Sequence, residues 1–448
     1  MLLRIFNLRY SILHLALLVS VTAAAADSLS VEKKAKPNFE NNYRLYNFTN
    51  SSLNYCFNDD LRQGAEWRST IIFDYYGNSN AAPSGMLLRL LTKREITRPL
   101  IDRTDNRIKD NLKFEDFMKT GYTLQKYIKK ADATFILGWN HRQMRYLSAQ
   151  KEFFQTVFYG NARFEGDTAH LGNLHFYNYI YNQYSLGVKK KFYYNKYQMQ
   201  FGFLFSFLQV INQQEIRTGE NTNLYTAPDG EYIGINYDLT FNSASEGATK
   251  FGSLNGLGPS ADVNISFMNN NKWKLSIDVS DVGFLKMKKN PVNYSAVKSI
   301  TFGGIVIPDL LHFTSATFDT LNLDSAVRSY LPTKTANEYT LFMPFTVSAV
   351  FSKPVMKDRL VLSAGLMYRY LPGYNVYGFV KANYFIKPDM VFSASAGAGG
   401  YSVFNLGVEF CKSFKYFDLT FGTSNLPGLI VPSHLPGNSI YLRLGSMY

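Results

Sequence analysis

Apolar and polar residues alternate in the segment ADVNISFMNNNKWKLSIDVS, residues 261–280, on both sides of three asparagines. Successive side chains of a strand point to opposite faces, and Asn tolerates the left-handed conformation that tight turns need. The segment therefore predicts a β-hairpin. Its apolar row could face the core of a soluble sandwich or the lipid around a membrane barrel, and the pattern alone leaves both open.

The register of this hairpin decides what its polar face contains. Pairing Phe267 with Trp273 across the asparagines would set Asp262 opposite Asp278. Two opposed carboxylates are unfavourable unless a basic side chain or a cation lies between them, so we expect such a partner there. The alternation slips at residues 280–281, which predicts a β-bulge or a strand end.

The period of two recurs along the chain and is longest in residues 197–207, where one row consists of Tyr, Met and four Phe. The final candidate strand ends on an aromatic residue, Tyr448, as the last strand of bacterial outer-membrane barrels does. The candidates total roughly fourteen to sixteen, and because single-chain bacterial barrels favour an even number, we predict about 14 strands. Further candidate strands are residues 67–75, 84–92, 133–144, 174–189, 231–241, 297–307, 343–352, 360–370, 375–386, 390–397, 404–410, 417–422 and 440–448.

The N-terminus has the order of a secretory signal peptide. Arg4 and Arg9 precede an apolar run that ends in small residues before Asp27. We predict a signal peptide over residues 1–26, with cleavage between Ala26 and Asp27. An uncleaved anchor is the alternative, but the apolar run is too short to span a bilayer.

A membrane barrel reconciles export with the composition. No later window approaches the ~20 consecutive apolar residues of a transmembrane helix, yet the chain has 36 Phe, 32 Tyr and 46% hydrophobic residues. A spanning strand needs only ~10 residues, half of which can be polar. Tyrosine clusters at 176–184 and 192–197 fit an aromatic girdle, although rings on a soluble sheet would give the same pattern. The predicted fold class is an all-β, antiparallel transmembrane β-barrel.

Three regions interrupt the strand pattern and are predicted to be insertions with short helices: 96–130, 145–160 and 308–340. The first contains NLKFEDFMKTGYTLQKYIKKA and the second YLSAQKEFFQTVFYG, and both have helix-like spacing. Residues 27–65 are polar and Asn-rich, which predicts an N-terminal arm or plug. Residues 66–448 would then form the barrel.

If the apolar rows face lipid, the charged residues between them point into the barrel. A charge on the lipid face costs ~2–4 kcal/mol at the midplane, so the phase of each strand is strongly specified. The solvated face of a soluble sheet would show the same spacing. The predicted lumen-facing residues are Asp262, Lys274, Asp278, Arg369, Glu409, Asp418 and Arg443.

The charge and the cysteines add little to this assignment. The formal charge is +13, but the basic residues are scattered, and an exported chain rarely meets nucleic acid. Anionic lipid or envelope polymers are the better partners. Cys56 and Cys411 could form a disulfide or remain two buried thiols.

No catalytic or cofactor motif is present: we find no HExxH, CxxC, GxSxG, P-loop or dinucleotide fingerprint. The histidines after the signal peptide have neither triad nor metal-ligand spacing, so we predict no enzyme, no metal and no cofactor. They are His141, His170, His175, His312 and His434.

Three segments resemble an uncharacterised family of Bacteroidota outer-membrane β-barrels, related to the fatty-acid-channel type. They are FYGNARFEGDTAHLG (158–172), the hairpin region 254–290 with DVGFLKM, and LPTKTANEYTLFMPFTVSAVF (331–351). The chain departs from the family pattern at residues 259–260, Pro and Ser, and at Met287, where an aromatic is common. The resemblance implies a barrel in the outer membrane and supplies no catalytic residues.

Two functions lead at this stage, and a barrel enzyme is a third that no motif supports. The first is passage of a small or hydrophobic solute across the bacterial outer membrane, as in fatty-acid-channel-like barrels, with the 27–65 arm or an inserted loop restricting the lumen. The second is a non-conducting scaffold in an envelope secretion or assembly complex, with other envelope proteins and outer-membrane lipid as partners. The channel and the scaffold predict different lumens. A channel needs a continuous path through the barrel, whereas the lumen of a scaffold can be filled by its own plug.

Overall fold

The computed structural model describes residues 57, 65–92, 94–194, 197–245, 250–269, 272–288, 291–303 and 334–447. Among these residues, no helix is both long and apolar enough to span a bilayer. The α-helices are α1 Ser84–Thr92, α2 Arg98–Arg107, α3 Lys151–Tyr159 and α4 Leu426–Ile430. The strands are β1 Trp67–Ser79, β2 Asn111–Ile128, β3 Ala133–Gln150, β4 Asp167–His170, β5 His175–Tyr194, β6 Tyr197–Thr218, β7 Asn223–Thr226, β8 Ile233–Ser243, β9 Gly256–Asn269, β10 Lys274–Met287, β11 Val292–Phe302, β12 Lys334–Thr335, β13 Tyr339–Phe342, β14 Thr346–Val355, β15 Leu360–Arg369, β16 Asn375–Lys387, β17 Met390–Gly400, β18 Ser402–Ser413, β19 Phe417–Thr423 and β20 Asn438–Met447.

Fourteen of these strands close into one antiparallel barrel. The ring runs through β1, β2, β3, β5, β6, β9, β10 and then β14 to β20 in order, and β20 pairs with β1. Closure leaves no open sheet edge in the ring, which a strand structure in lipid requires. The predicted fold class and strand number are confirmed.

The two ends of the barrel differ in their connections. Short turns join β2 to β3, β5 to β6, β9 to β10, β14 to β15, β16 to β17 and β18 to β19, and Trp67 and Met447 lie at this same end. We call it the short-turn end. The longer connections, which carry all four helices and β4, β7, β8 and β11, lie at the opposite, long-loop end. In bacterial barrels long loops face the outside of the cell.

The outward-facing side chains in the middle of β6 are apolar. Phe201 and Phe205 are 45% and 52% exposed, whereas the alternate residues Gly202, Leu204 and Ser206 are buried. The exposed apolar positions run from 199 to 207, close to the ~9–11 residues that cross a bilayer. Their exposure is what a lipid-facing wall requires, because the interior side is filled by the polar and small residues.

A sharp change of polarity marks the upper limit of this apolar surface. On adjacent strands Trp139, Tyr184 and Phe207 share one row, with the hydroxyl of Tyr184 donating to Gln209 at 3.1 Å. The next outward row, two residues nearer the long-loop end, is His141, Asn182 and Gln209, and these side chains are hydrogen-bonded to one another in turn. An aromatic row followed by a polar row is typical of the lipid–water boundary.

The wall of the barrel is taller on one side. Strands β2 and β3 have 18 residues each, β5 has 20 and β6 has 22, whereas β14, β15 and β20 have 10. Above the polar row, the outward face of the tall side carries a buried ion pair between Asp116 and Arg145 at 2.5 Å. The tall wall therefore continues past the apolar band at the long-loop end.

The central hairpin exists, but its predicted register is wrong by two residues. Ile265 pairs with Ile277, and Asp278 faces Asn264, whose amide donates to it at 2.7 Å. The turn lies one residue later than predicted: the backbone N–H of Asn269 donates to the carbonyl of Trp273 at 3.2 Å, and Lys272 adopts the left-handed conformation with φ 62°. The predicted bulge at residues 280–281 is confirmed, because the register shifts between Val279 and Val282.

The predicted insertion boundaries need correction. Residues 111–128, expected to be helical within 96–130, are strand β2, because inward Phe117 and outward Asp116 in the tall wall break the simple alternation. Likewise 145–150 belongs to β3, and the helix begins only at Lys151. Residues 84–92 form α1 and not a strand.

Several predicted segments lie outside the described residues. They include the signal peptide with its Ala26 and Asp27 junction, all of the 27–65 arm except residues 57 and 65, and residues 308–333 of the third insertion. Within 334–340, the described part forms β12 and the start of β13.

Candidate functional site: the lumen

The seven predicted lumen residues are all buried. The residues next to each of them on the same strand point outward and are more exposed. None is more than 8% exposed. The structure does not gather them into one site, and distributes them at several heights along the barrel. They are Asp262, Lys274, Asp278, Arg369, Glu409, Asp418 and Arg443.

An ion pair spans the lumen at mid-height. The guanidinium of Arg142, on β3, donates to both carboxylate oxygens of Asp281, on β10, at 2.6 and 2.8 Å. These strands are not neighbours in the ring, so the pair links two parts of the wall. The bulge turns Asp281 inward with φ 63°, and its backbone N–H donates to Asp262 at 2.7 Å. Bidentate pairing of this kind is strong and geometrically specific.

A second ion pair spans the lumen nearer the long-loop end. Arg369, on β15, donates to Glu115, on β2, at 3.0 Å and also to the hydroxyl of Tyr76 on β1. The amide of Asn78 donates to the other oxygen of Glu115 at 3.1 Å. We call the Arg142 and Asp281 pair and the Arg369 and Glu115 pair the two lumen latches, since each joins strands that are distant in the ring.

Two further pairs bind strands that are separated by one neighbour. Lys381 donates to Glu409 at 2.9 Å, and the hydroxyl of Tyr441 donates to the other oxygen of Glu409 at 2.8 Å. Near the short-turn end, Arg68 lies 3.5 Å from Asp418. All four pairs are buried, so removing one partner would leave an uncompensated charge.

An aromatic and methionine-rich cluster fills the upper half of the lumen. The ring of Tyr146 packs at a tilt against that of Tyr177, with 4.8 Å between ring centroids, and Tyr76 stacks with Phe117 at 5.1 Å. Inward tyrosines of the 176–184 cluster belong here, whereas Tyr184 faces outward. We call this set the lumen cluster; its principal buried members are Tyr76, Phe117, Met144, Tyr146, Tyr179, Tyr181, Leu208, Met367, Tyr374, Tyr377, Phe379 and Tyr401.

The two latches are built against the lumen cluster. The guanidinium carbon of Arg142 lies 5.4 Å from the ring centroid of Tyr181, and that of Arg369 lies 5.6 Å from Tyr76 and 5.8 Å from Tyr374. Cation–π contact of this kind adds to the ion pairs. The rings of Tyr181, Tyr76 and Tyr374 therefore pack directly against the guanidinium groups of the latches.

One residue of the predicted N-terminal arm reaches the lumen. Phe57 is fully buried against Ile72, Ile136 and Leu204, which point inward from β1, β3 and β6. The amide of Gln200 donates to the carbonyl of Phe57 at 2.9 Å. A Cβ atom at Gly202 would lie 2.4 Å from the Phe57 ring, so the glycine makes room for it.

Two small internal spaces lie between described side chains of the barrel. One internal space, among Lys381, Ser393 and Glu409, has a volume of about 10 Å³, and another, among Tyr76, Glu115 and Tyr374, has the same volume. Each is about the size of one water molecule. Within the described ranges, no three His, Cys, Asp or Glu side chains are placed to hold a metal ion. Cys411 is buried, and its sulfur accepts a hydrogen bond from the hydroxyl of Thr420 at 3.0 Å.

Sequence reasoning missed the partners of the predicted residues. Glu115 and Arg142 lie on β2 and β3, where the tall wall obscures the alternation, and Asp281 lies in the bulge. Lys381 is the exception, because it alternates with outward Val380 and Ala382 and the period of two could have identified it. Which residues face each other across a lumen depends on strand order and shear, which local patterns do not contain.

A profile described as a family of unknown function (DUF5723) matches residues 86–424 of the chain. The chain belongs to this family. The match confirms the resemblance indicated by the three sequence segments, all of which fall within that range. No curated protein sequence matches this DUF5723 protein.

Several solved structures resemble this DUF5723 protein. The toluene transporter TbuX of Ralstonia pickettii is 7% identical and has a TM-score of 0.45, with 86% of this chain and 90% of that chain covered. A FadL homologue of Pseudomonas aeruginosa is 8% identical with a TM-score of 0.42, over 86% of this chain and 90% of that chain. The TodX monoaromatic hydrocarbon channel, as its deltaS2 mutant, is 8% identical with a TM-score of 0.41, over 88% and 91%.

Proposed function

We propose that this DUF5723 protein is an outer-membrane barrel that passes small hydrophobic solutes, with its long-loop end outside the cell. The lumen cluster is the observation that carries the proposal. A water-filled porin is lined by polar groups, whereas the upper lumen here is lined by tyrosine rings and methionine side chains. Such a lining suits an apolar ligand, with tyrosine hydroxyls to fix its orientation.

The apolar outer band supports the location. Exposed phenylalanines on β6 end at an aromatic row and then at a polar row, as expected at the outer boundary of a bilayer. Both chain ends of the barrel would then lie on the periplasmic side, where the short turns are.

The two lumen latches would hold the closed state. Their arginines contact the lumen cluster, so separating Arg142 from Asp281 would free rings to move and admit a solute. Breaking a buried pair costs about 3–5 kcal/mol if one partner is left uncompensated. A solute that displaces the rings must supply energy of that order, or the charges must find new partners in the lumen.

Uptake by intact cells tests the proposal. We would express the protein in a Gram-negative host and measure the initial rate at which the hydrophobic dye 1-N-phenylnaphthylamine enters. The latch variant Arg142→Met with Asp281→Asn replaces both charges, and such replacement is often tolerated by the fold. We expect faster entry than in cells with an empty vector, and a further several-fold increase in the latch variant.

A matched control removes an ion pair outside the lumen. Lys412 and Asp389 are 2.5 Å apart at the turn between β16 and β17, and both are partly exposed. Lys412→Met with Asp389→Asn should leave the rate of dye entry within twofold of the parent. If neither the parent nor the latch variant exceeds the empty vector, transport is the wrong function.

The scaffold hypothesis rests on a different observation. Four buried ion pairs join described strands inside the barrel, and two internal spaces between the described side chains measure about 10 Å³ each. A filled barrel of this kind could serve as a rigid support for other envelope proteins. Isolation from native membranes distinguishes the two, because a stoichiometric partner together with no dye entry favours the scaffold.

A further inference from the structure

A basic and apolar surface lies at the long-loop end beside α4. Leu429, Ile430, Val431 and Leu435 are 45%, 68%, 39% and 37% exposed. The chain then enters β20, whose outward Ile440 is 55% exposed, so the apolar surface of the wall continues into this loop. We call the four apolar residues together with Arg103 and Arg107 the rim patch.

Helix α2 places two arginines against this loop. Arg103 donates to the carbonyl of Ser433, and Arg107 donates to the carbonyl of His434. They are four residues apart on one helix face, where like charges repel. Burial and the neighbouring charge of Arg103 lower the pKa of Arg107.

Carboxylates of the described residues do not neutralise this arginine pair. Asp102 pairs with Arg98, and Asp105 with Arg163 and Lys151. Each guanidinium has five N–H donors and uses one on the loop, so both keep donors for an external anion. A phosphate group matches two guanidinium groups in charge and geometry.

We propose that the rim patch binds a phosphorylated glycolipid of the outer leaflet, with Arg103 and Arg107 on a headgroup phosphate and Leu429, Ile430 and Val431 against an acyl chain. A soluble phosphate ion would not contact the exposed apolar residues, whereas a lipid carries both a phosphate group and acyl chains at the membrane surface. The inference rests on the proposed outer-membrane location, but it does not depend on transport.

Native mass spectrometry of the full chain in detergent tests the site, with bis-phosphorylated hexa-acyl lipid A and its dephosphorylated form as probes. We expect Arg103→Gln with Arg107→Gln to weaken lipid A binding at least about tenfold, the factor that ~1.4 kcal/mol represents. Leu429→Ser with Ile430→Ser should also weaken it. Dephosphorylated lipid A should bind the parent protein about as weakly as lipid A binds the arginine variant.

Lys250→Gln with Lys298→Gln is the matched control, because both lysines are exposed at the same end and their removal changes the net charge equally. It should bind lipid A within twofold of the parent. Equal binding by the arginine variant, or equal binding of dephosphorylated lipid A, would overturn the proposal. Competition by millimolar inorganic phosphate would overturn the lipid assignment. A failed dye-entry assay would leave the lipid result unaffected, since binding is measured on the purified protein.

Discussion

Arg142 and Asp281 meet across the lumen through two hydrogen bonds of 2.6 and 2.8 Å, although their strands are separated by three others in the ring. Both side chains are 2% exposed. The pair Arg369 and Glu115 likewise joins distant strands, β15 and β2. The strength of the pair therefore bears on both the stability and the opening of the barrel.

Removing one partner of this pair should destabilise the protein far more than removing both. Arg142→Met leaves the Asp281 carboxylate buried without its partner and should cost about 3–5 kcal/mol in the free energy of unfolding. Arg142→Met with Asp281→Asn should recover most of that loss. Urea titrations of the protein in lipid vesicles measure both, and a single-variant loss below about 1 kcal/mol would contradict the assigned role.

The backbone at Asp281 allows a second prediction. Its φ of 63° is tolerated by Asp and Asn but is strained for a β-branched residue. In the Arg142→Met background, Asp281→Val should therefore be about 1–3 kcal/mol less stable than Asp281→Asn. The same urea titration compares them, and equal stabilities would mean that the bulge rearranges freely.

Gly202 should control how firmly the N-terminal arm is held. In Gly202→Ala the new methyl group meets the Phe57 ring, and overpacking of this kind costs about 1–3 kcal/mol. Trypsin should then cleave near Arg62 about tenfold faster or more, because cleavage follows the population of the opened arm. Intact mass measured over time reports the cleavage.

Gly234→Ala provides the control for this experiment. A Cβ atom there meets only the Cβ of Tyr225, at 3.8 Å. Its rate of cleavage near Arg62 should equal that of the parent. If both variants are cleaved at the same rate, Phe57 does not hold the arm in the lumen.

The polarity boundary on β6 predicts opposite tolerances for two outward positions. Phe203→Arg places a charge within the apolar band and should cost about 2–4 kcal/mol, whereas Gln209→Arg lies beyond the aromatic row and should cost about 0–1 kcal/mol. Unfolding in phospholipid vesicles compares the two. Equal losses would place the lipid boundary elsewhere on the strand.

The fold could be predicted from the sequence because lipid requires apolar side chains on the outward face of each spanning strand. Outward Phe201, Phe203 and Phe205 against inward Gly202 and Leu204 can be recognised from neighbouring positions alone. The same rule failed at β2, where the tall wall leaves the bilayer and outward Asp116 no longer needs to be apolar. Helix-like spacing then remained the stronger signal.

The site was predictable only in part, for a related reason. Inward charges such as Glu409 and Arg369 follow from the alternation, but their partners Lys381 and Glu115 come from other strands. The predicted hairpin register was wrong because the turn lies one residue later than the pattern suggests, with Lys272 in the left-handed conformation. Alternation along one strand predicts whether a side chain points inward or outward. Its contact partners depend on the order and register of the strands in the closed ring.

The wall of the barrel is taller on one side than on the other, so the two sides are not equivalent. Strands β2, β3, β5 and β6 extend past the aromatic row at the long-loop end, whereas β14 and β15 are shorter. In the proposed orientation, a molecule that approaches the barrel mouth along the cell surface would be obstructed on the tall side and would reach the mouth freely on the short side. Neighbouring barrels in a crowded membrane would likewise meet two different sides, so their lateral arrangement would have a preferred orientation.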